Sequence, residues 1–75
     1  MSLFQSRVEK ELDRARTKHP GLQHSFHEGY AVIQEEVDEF WDLVKQQKPN
    51  KEDMLKELIQ ISAMCQRTAE DLNLI

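Results

Sequence analysis

The strongest structural signal in this chain is the segment SFHEGYAVIQEEVDEFWDLVKQQ, residues 25–47. Its apolar residues recur at alternating intervals of four and three, which is the spacing of one face of an α-helix. These residues are Phe26, Tyr30, Ile33, Val37, Phe40 and Val44. Ser25 and Glu28 have the form of a capping box, and Pro49 cannot continue a helix. We therefore expect a long helix over about residues 26–47.

Two further helices are predicted, one on each side of this segment. The first covers about residues 3–18 and has a narrow apolar stripe of Phe4, Val8, Leu12 and Ala15. The third covers about residues 51–72 after Asn50, a favourable N-cap. Its inward face is expected to comprise Met54, Leu55, Leu58, Ile61, Ser62, Cys65, Ala69 and Leu72. No strand-type alternation occurs, so we expect one all-α domain over residues 1–75, in which the second and third helices form a long antiparallel pair.

The composition favours a small, acidic protein that associates with itself. A chain of 75 residues forms one small domain, which is marginal on its own. One cysteine excludes an intrachain disulfide and fits a reducing compartment, so we expect a cytoplasmic location. The net charge of -4 argues against a nucleic-acid-binding protein, and no apolar run is long enough to span a membrane. Oligomerisation is the expected way to complete the core.

Two acidic groups lie where the predicted helix pair brings them together. Glu36 and Glu39 lie on one flank of the second helix, with apolar residues on either side of them. Glu57 and Gln60 lie at the border of the apolar stripe of the third helix. Helices joined by a short turn run antiparallel, so these four side chains can converge. Oxygen ligands from facing helices suit a hard divalent cation such as Mg2+.

The acidic residues also have a competing interpretation. Carboxylates on a helix flank are most often solvated or paired with basic residues of a neighbouring element. We interpret a second acidic row, Glu35, Asp38 and Asp42, as such a solvated face. The three histidines cluster around the start of the second helix, but their spacing does not match a zinc motif. The metal site is therefore a hypothesis that depends on how the helices pack.

These motifs resemble a known family. Glu36-x-x-Glu39 is followed, after seventeen residues, by Glu57-x-x-Gln60, which is similar to the ExxE…ExxD signature of MazG-like proteins. The flanking segments HEGYAVIQEEVDEFWDLVK and MLKELIQISAMCQRTAEDL look like a short subgroup of this all-α NTP pyrophosphohydrolase superfamily. The resemblance implies Mg2+-dependent hydrolysis of a nucleoside triphosphate to the monophosphate and pyrophosphate, with Mn2+ as an alternative ion. It also implies a homodimer or homotetramer of four-helix-bundle type.

The resemblance assigns roles to the acidic residues. Glu36, Glu39 and Glu57 would be metal ligands, and Glu36 or Glu39 would also orient the attacking water. Gln60 would be the fourth ligand, but the family has Asp there. The amide removes one negative charge, so metal binding should be weaker or fewer ions should be held.

Other residues are candidates for contacts with the nucleotide. Lys56 and Arg67 could bind phosphates, although a solvated face with Arg67 paired to Asp71 is the alternative. Tyr30 and Trp41 could stack on a base, but we interpret them as core or interface residues.

Two functions stay open at this point. The intact Glu36, Glu39 and Glu57 favour a nucleotide pyrophosphohydrolase. The short chain and Gln60 favour a non-catalytic relative, which would be an oligomeric nucleotide-binding or regulatory module with a degenerate metal site.

Overall fold

A computed structural model describes residues 2–75, and this part of the chain folds into three α-helices. Helix α1 spans Leu3–Lys18, α2 spans Phe26–Val44 and α3 spans Lys51–Asp71. No strand occurs between residues 2 and 75, which confirms the all-α prediction. Helices α1 and α2 each pack against α3, so α3 is the central element. None of the helices in the described range combines the length and apolar character of a membrane-spanning segment.

Side-chain caps define where the helices begin. At α1, Ser2 accepts a hydrogen bond from the Gln5 backbone N–H at 3.1 Å, and the Gln5 side chain accepts one from the Ser2 N–H at 2.9 Å. At α3, Asn50 accepts a hydrogen bond from the Asp53 N–H at 3.0 Å, which confirms its predicted role as N-cap. Each cap satisfies backbone donors that the first helical turn leaves unpaired.

Helix α2 begins where the sequence predicts but ends earlier. Ser25 accepts a hydrogen bond from the Glu28 N–H at 3.0 Å, whereas the Glu28 carboxylate accepts one from the N–H of His24 and not from the N-cap residue. The helix ends at Val44 and does not continue to residue 47. The following residues, KQQKPN, are exposed and include no apolar side chain that could anchor another turn on α3.

The hydrophobic core lies between α1 and α3. Val8 and Leu12 of α1 pack with Ile59 and Ala63 of α3, and Leu55 and Met64 lie against this cluster. Ala15 is also buried, whereas Phe4, the first residue of the predicted stripe, is partly exposed. The α1 stripe is therefore confirmed from Val8 onwards.

The predicted inward face of α3 is only partly correct for the single chain, since Leu55 alone of its residues packs against the core cluster. The buried residues of α3 are Ile59, Ala63, Arg67 and Asp71, whereas Leu58 and the Cys65 thiol are exposed. The buried line is the one that faces α1, and its C-terminal half is polar. The apolar periodicity of α3 therefore pointed to the stripe next to the one that is buried.

Helix α2 leaves much of its predicted core seam in solvent. Phe26, Tyr30 and Trp41 keep 67%, 68% and 58% of their surface exposed. We call the exposed apolar residues Phe26, Tyr30, Val37, Trp41 and Val44 of α2, together with Leu58 of α3, the α2–α3 apolar face. The largest exposed apolar surfaces of soluble proteins commonly mark an interaction site.

Glycine allows a close approach of α2 to α3. A Cβ atom at Gly29 would lie 2.7 Å from Cγ2 of Thr68, so a larger residue would require the Thr68 side chain or the helices to shift. Gly29 lies near the start of α2 and Thr68 near the end of α3. This contact helps to set the spacing between the two helices that carry the candidate site.

Candidate metal centre

Three glutamates come together between α2 and α3. One carboxylate oxygen from each of Glu36, Glu39 and Glu57 lies within 4.8 Å of the other two. Residues three apart lie on the same side of a helix, which is how α2 presents both of its carboxylates. Glu39 is exposed, whereas Glu36 and Glu57 are half-buried. The three oxygens are close enough to bind one cation between them.

Gln60 adjoins this cluster from α3. In the amide orientation that satisfies its neighbours, Nε2 donates hydrogen bonds to Glu36 Oε2 at 2.8 Å and to Glu57 Oε1 at 3.2 Å. The amide thus links two acidic side chains on different helices. An ionised Asp at this position would have no hydrogen to donate, so the amide stabilises the cluster in the absence of a cation.

One oxygen of the cluster has an unmet bonding requirement. Glu57 Oε2 is buried and has no hydrogen-bond partner among residues 2–75. A buried polar atom without a partner costs about 1–3 kcal/mol, so such an atom is usually paired with an ordered water, an ion or another ligand. An oxygen-rich donor set with an unpaired oxygen fits a hard divalent cation.

Burial and like charge perturb the acidities of the cluster. Burial raises the pKa of Glu57 to about 8, and the hydrogen bond to Glu36 and the charge of Glu36 add to this shift. The pKa of Glu36 is also raised, chiefly by burial and then by the charge of nearby Glu39, against the opposing hydrogen bond from Glu57. The raised pKa values favour retention of a proton by the Glu36–Glu57 pair at neutral pH. A bound cation would have to displace this proton, so metal affinity should increase with pH.

Two cavities open beside the cluster. The larger, of about 570 Å³, lies between the end of α1, residues 19–24 and the facing sides of α2 and α3, and its walls include Glu36, Gln60, Val32 and Met64. The smaller, of about 290 Å³, is a groove between α1 and α3. Gln60 lines both cavities, whereas Glu36 lines the larger one alone, so the larger cavity opens onto the cluster and the groove adjoins it only at Gln60.

Lys56 and Arg67 lie in different environments. Lys56 is exposed and lines the α1–α3 groove. Arg67 lines the larger cavity but is only 8% exposed. Its Nη2 donates to the backbone carbonyls of His19 at 2.6 Å and Gly21 at 2.9 Å, and its Nε contacts Asp71 at 3.4 Å. The predicted Arg67–Asp71 pair is present. A contact between Arg67 and a phosphate stays a prediction.

Asp71 is the centre of a buried network that sequence reasoning did not predict. It accepts hydrogen bonds from the Gln23 backbone N–H at 3.1 Å and from Arg16 Nη1 at 2.9 Å. Burial alone would raise the pKa of Asp71, but these donors outweigh it and hold the pKa below its ordinary value. Together with Arg67, Asp71 fixes residues 19–23, which form one wall of the larger cavity.

The predicted metal ligands thus lie close together. The polar network around Asp71, which supports residues 19–23, depends instead on contacts between residues far apart in the chain. The Arg67 carbonyl contacts join residues far apart in the chain and have no local sequence signal. No family model, curated protein or solved structure matches this chain, so the MazG-like resemblance is carried by its motif alone.

Proposed function

We propose that this protein is a MazG-like, metal-dependent nucleotide pyrophosphohydrolase. Its metal ligands would be Glu36, Glu39, Glu57 and Gln60. The observation that carries this proposal is the convergence of three carboxylates, one of which has a buried oxygen without a partner. The substrate class, a nucleoside triphosphate or a related nucleotide, follows from the resemblance of the motif.

The residues of the cluster have separable roles in this reaction. When bound, Mg2+ or Mn2+ would neutralise phosphate oxygens and the charge that develops on them. Glu39 is the exposed carboxylate of the three and is best placed to orient a water molecule, with Glu36 as the alternative. The water oxygen bonds to phosphorus while the P–O bond between nucleoside monophosphate and pyrophosphate breaks. Pyrophosphate leaves with the bonding electron pair, and the water proton passes through the carboxylate to solvent.

We further propose that a second copy covers the α2–α3 apolar face. Gly29 of α2 meets Thr68 of α3, and Glu36 meets Gln60, so the contacts follow opposite orders along the two helices. This order supports an antiparallel pair, which is half of a four-helix bundle. A homodimer or homotetramer of this type would bury Phe26, Tyr30 and Trp41, which are exposed in the single chain.

A non-catalytic, nucleotide-binding or regulatory relative is the second candidate. The hydrogen bonds from Gln60 to Glu36 and Glu57 favour it, because they stabilise the cluster without a cation. For either function we place the protein in the cytoplasm, where an exposed free thiol such as Cys65 stays reduced. Neither function calls for a nucleic-acid or membrane partner.

Pyrophosphate release from a panel of nucleoside and deoxynucleoside triphosphates, with Mg2+ or Mn2+, separates the two candidates. We expect metal-dependent release that Glu39→Gln abolishes. The matched control is Asp42→Asn, since Asp42 lies one turn further along α2 and pairs with Lys45 on the surface. Nucleotide binding without release would support the non-catalytic relative. Release that survives Glu39→Gln would exclude the proposed site.

A further inference from the structure

We infer that the groove between α1 and α3 is a binding site for a linear chain of phosphates. The groove is lined by four basic side chains, Arg7, Lys10, Arg14 and Lys56. They are four of the ten Lys and Arg residues in a chain whose net charge is -4. Glu11 also lines the groove, but the four basic residues leave its charge positive and opposite in sign to that of the whole protein, which suits an anionic ligand.

Two of these cations are available to a ligand. Arg14 is held by Glu11, with nitrogen–oxygen distances of 2.6 and 3.0 Å, and Arg7 pairs with Glu52 at 3.3 Å. Lys10 and Lys56 are exposed and have no ion-pair partner among residues 2–75. A lysine ammonium binds phosphate as a compact point charge, so an unpaired lysine on each helix can contact the same phosphate chain.

The groove adjoins the metal centre at Gln60. Gln60 lines the groove and donates hydrogen bonds to Glu36 and Glu57. Gln60, Glu11 and Arg14 line the larger cavity as well. A phosphate chain held at the metal centre can therefore extend into the groove, away from the larger cavity.

The position of the groove beside Gln60 indicates which end of a bound nucleotide lies in it. This step rests on the proposed function. The volume of the larger cavity, about 570 Å³, lies within the range of small-molecule sites. Its walls include the apolar side chains of Leu22, Val32 and Met64, which suit a nucleoside. The groove then holds the pyrophosphate end of the substrate. The ligand class is a nucleotide with several linked phosphates, in preference to a monophosphate.

The test uses inorganic tripolyphosphate, pyrophosphate and orthophosphate as probes. Their affinities are measured by calorimetry at low ionic strength, once with Mg2+ and once with EDTA. We expect affinity to increase with chain length under both conditions. The double variant Lys10→Gln/Lys56→Gln should bind tripolyphosphate about tenfold more weakly, since each exposed ion pair contributes modestly. These substitutions are on the surface and should not impair folding.

Lys48→Gln/Lys51→Gln is the matched control, because it removes the same charge from exposed lysines that do not line the groove. It should change the affinity less than twofold, about the effect expected of a screened distant charge. Equal losses in the two double variants, or equal affinity for all three probes, would overturn the inference. Lysine-dependent binding in EDTA by a protein that Mg2+ does not stabilise would support the groove while refuting the proposed metal function.

Discussion

Glu57 should make the metal-free protein less stable as the pH rises from about 4.5 to about 8. In the folded protein the pKa of Glu57 is about 8, compared with an ordinary value of 4.5. Between these values the unfolded chain has released this proton and the folded chain has kept it. The folded state thus binds more protons, so the free energy of unfolding decreases with increasing pH. Below the lower value both states are protonated, and above the higher value both are ionised, so the contribution is constant outside the window.

The structure sets the size of this effect. One pKa unit corresponds to about 1.4 kcal/mol, so the shift of Glu57 allows at most about 5 kcal/mol. Glu57 is only half-buried, and solvent screening reduces its interactions. We therefore expect a loss of about 2–3 kcal/mol between about pH 5 and pH 8.5. This is a large part of the stability of a small domain, which is about 5–10 kcal/mol.

The assay is urea denaturation followed by circular dichroism, in EDTA and at one protein concentration across the pH range. The variant Glu57→Gln should remove most of the pH dependence, because its amide has a similar shape and does not ionise. Glu9→Gln, at an exposed position of α1, is the control and should keep the slope of the parent. If the parent and Glu57→Gln lose stability equally with pH, Glu57 is not protonated in the folded state and the electrostatic account of the cluster is wrong.

Three further predictions concern Gln60, the apolar face and the buried network. Gln60→Asp should bind Mg2+ more tightly in calorimetry. It should also lower the free energy of unfolding in EDTA by about 1–3 kcal/mol, because a negative charge replaces the two hydrogen bonds that the amide donates. Unchanged Mg2+ affinity would show that residue 60 does not face the ion. Trp41→Ser should shift the sedimentation coefficient towards that of the monomer, whereas the control Leu22→Ser, also at an exposed apolar residue, should not. A parent protein that is monomeric at micromolar concentration would contradict the proposed assembly. Asp71→Asn should lower the free energy of unfolding by about 3 kcal/mol, because it uncouples a buried ion pair. Glu70→Gln, which removes a more exposed partner of Arg16, should cost much less than Asp71→Asn, and equal losses in the two variants would show that the network is not stabilising.

The helices could be predicted from sequence because their signals are local. The 3.6-residue period and the caps Ser25 and Asn50 act within a few residues, whereas the end of α2 at Val44 precedes Pro49 and had no such signal. The buried face of α3 could not be predicted in this way. Its C-terminal half is made of Arg67 and Asp71, whose burial is stabilised by partners more than forty residues away in α1 and the following loop. A periodic pattern also does not show whether an apolar stripe is covered by the same chain.

The convergence of the candidate ligands followed from spacing and from the short connection between α2 and α3. Glu36, Glu39 and Glu57 meet as predicted, and Gln60 reaches them from one turn further along α3. The hydrogen bonds that each of these side chains makes depend on how the helices pack, and the sequence carries no signal for them. The buried Glu57 oxygen and the two hydrogen bonds of the Gln60 amide are visible only once the helices are in place.

Calorimetric titration with Mg2+ at about pH 8.5, where Glu57 is mostly ionised, tests the metal centre most directly. We predict saturable binding that is at least about tenfold weaker in Glu39→Gln and unchanged in Asp42→Asn. The same titration at about pH 6.5 should show weaker binding, because the cation must then displace a proton from Glu57. No binding at millimolar Mg2+, or equal affinity in the parent and Glu39→Gln, would contradict the proposal that these carboxylates form a metal centre.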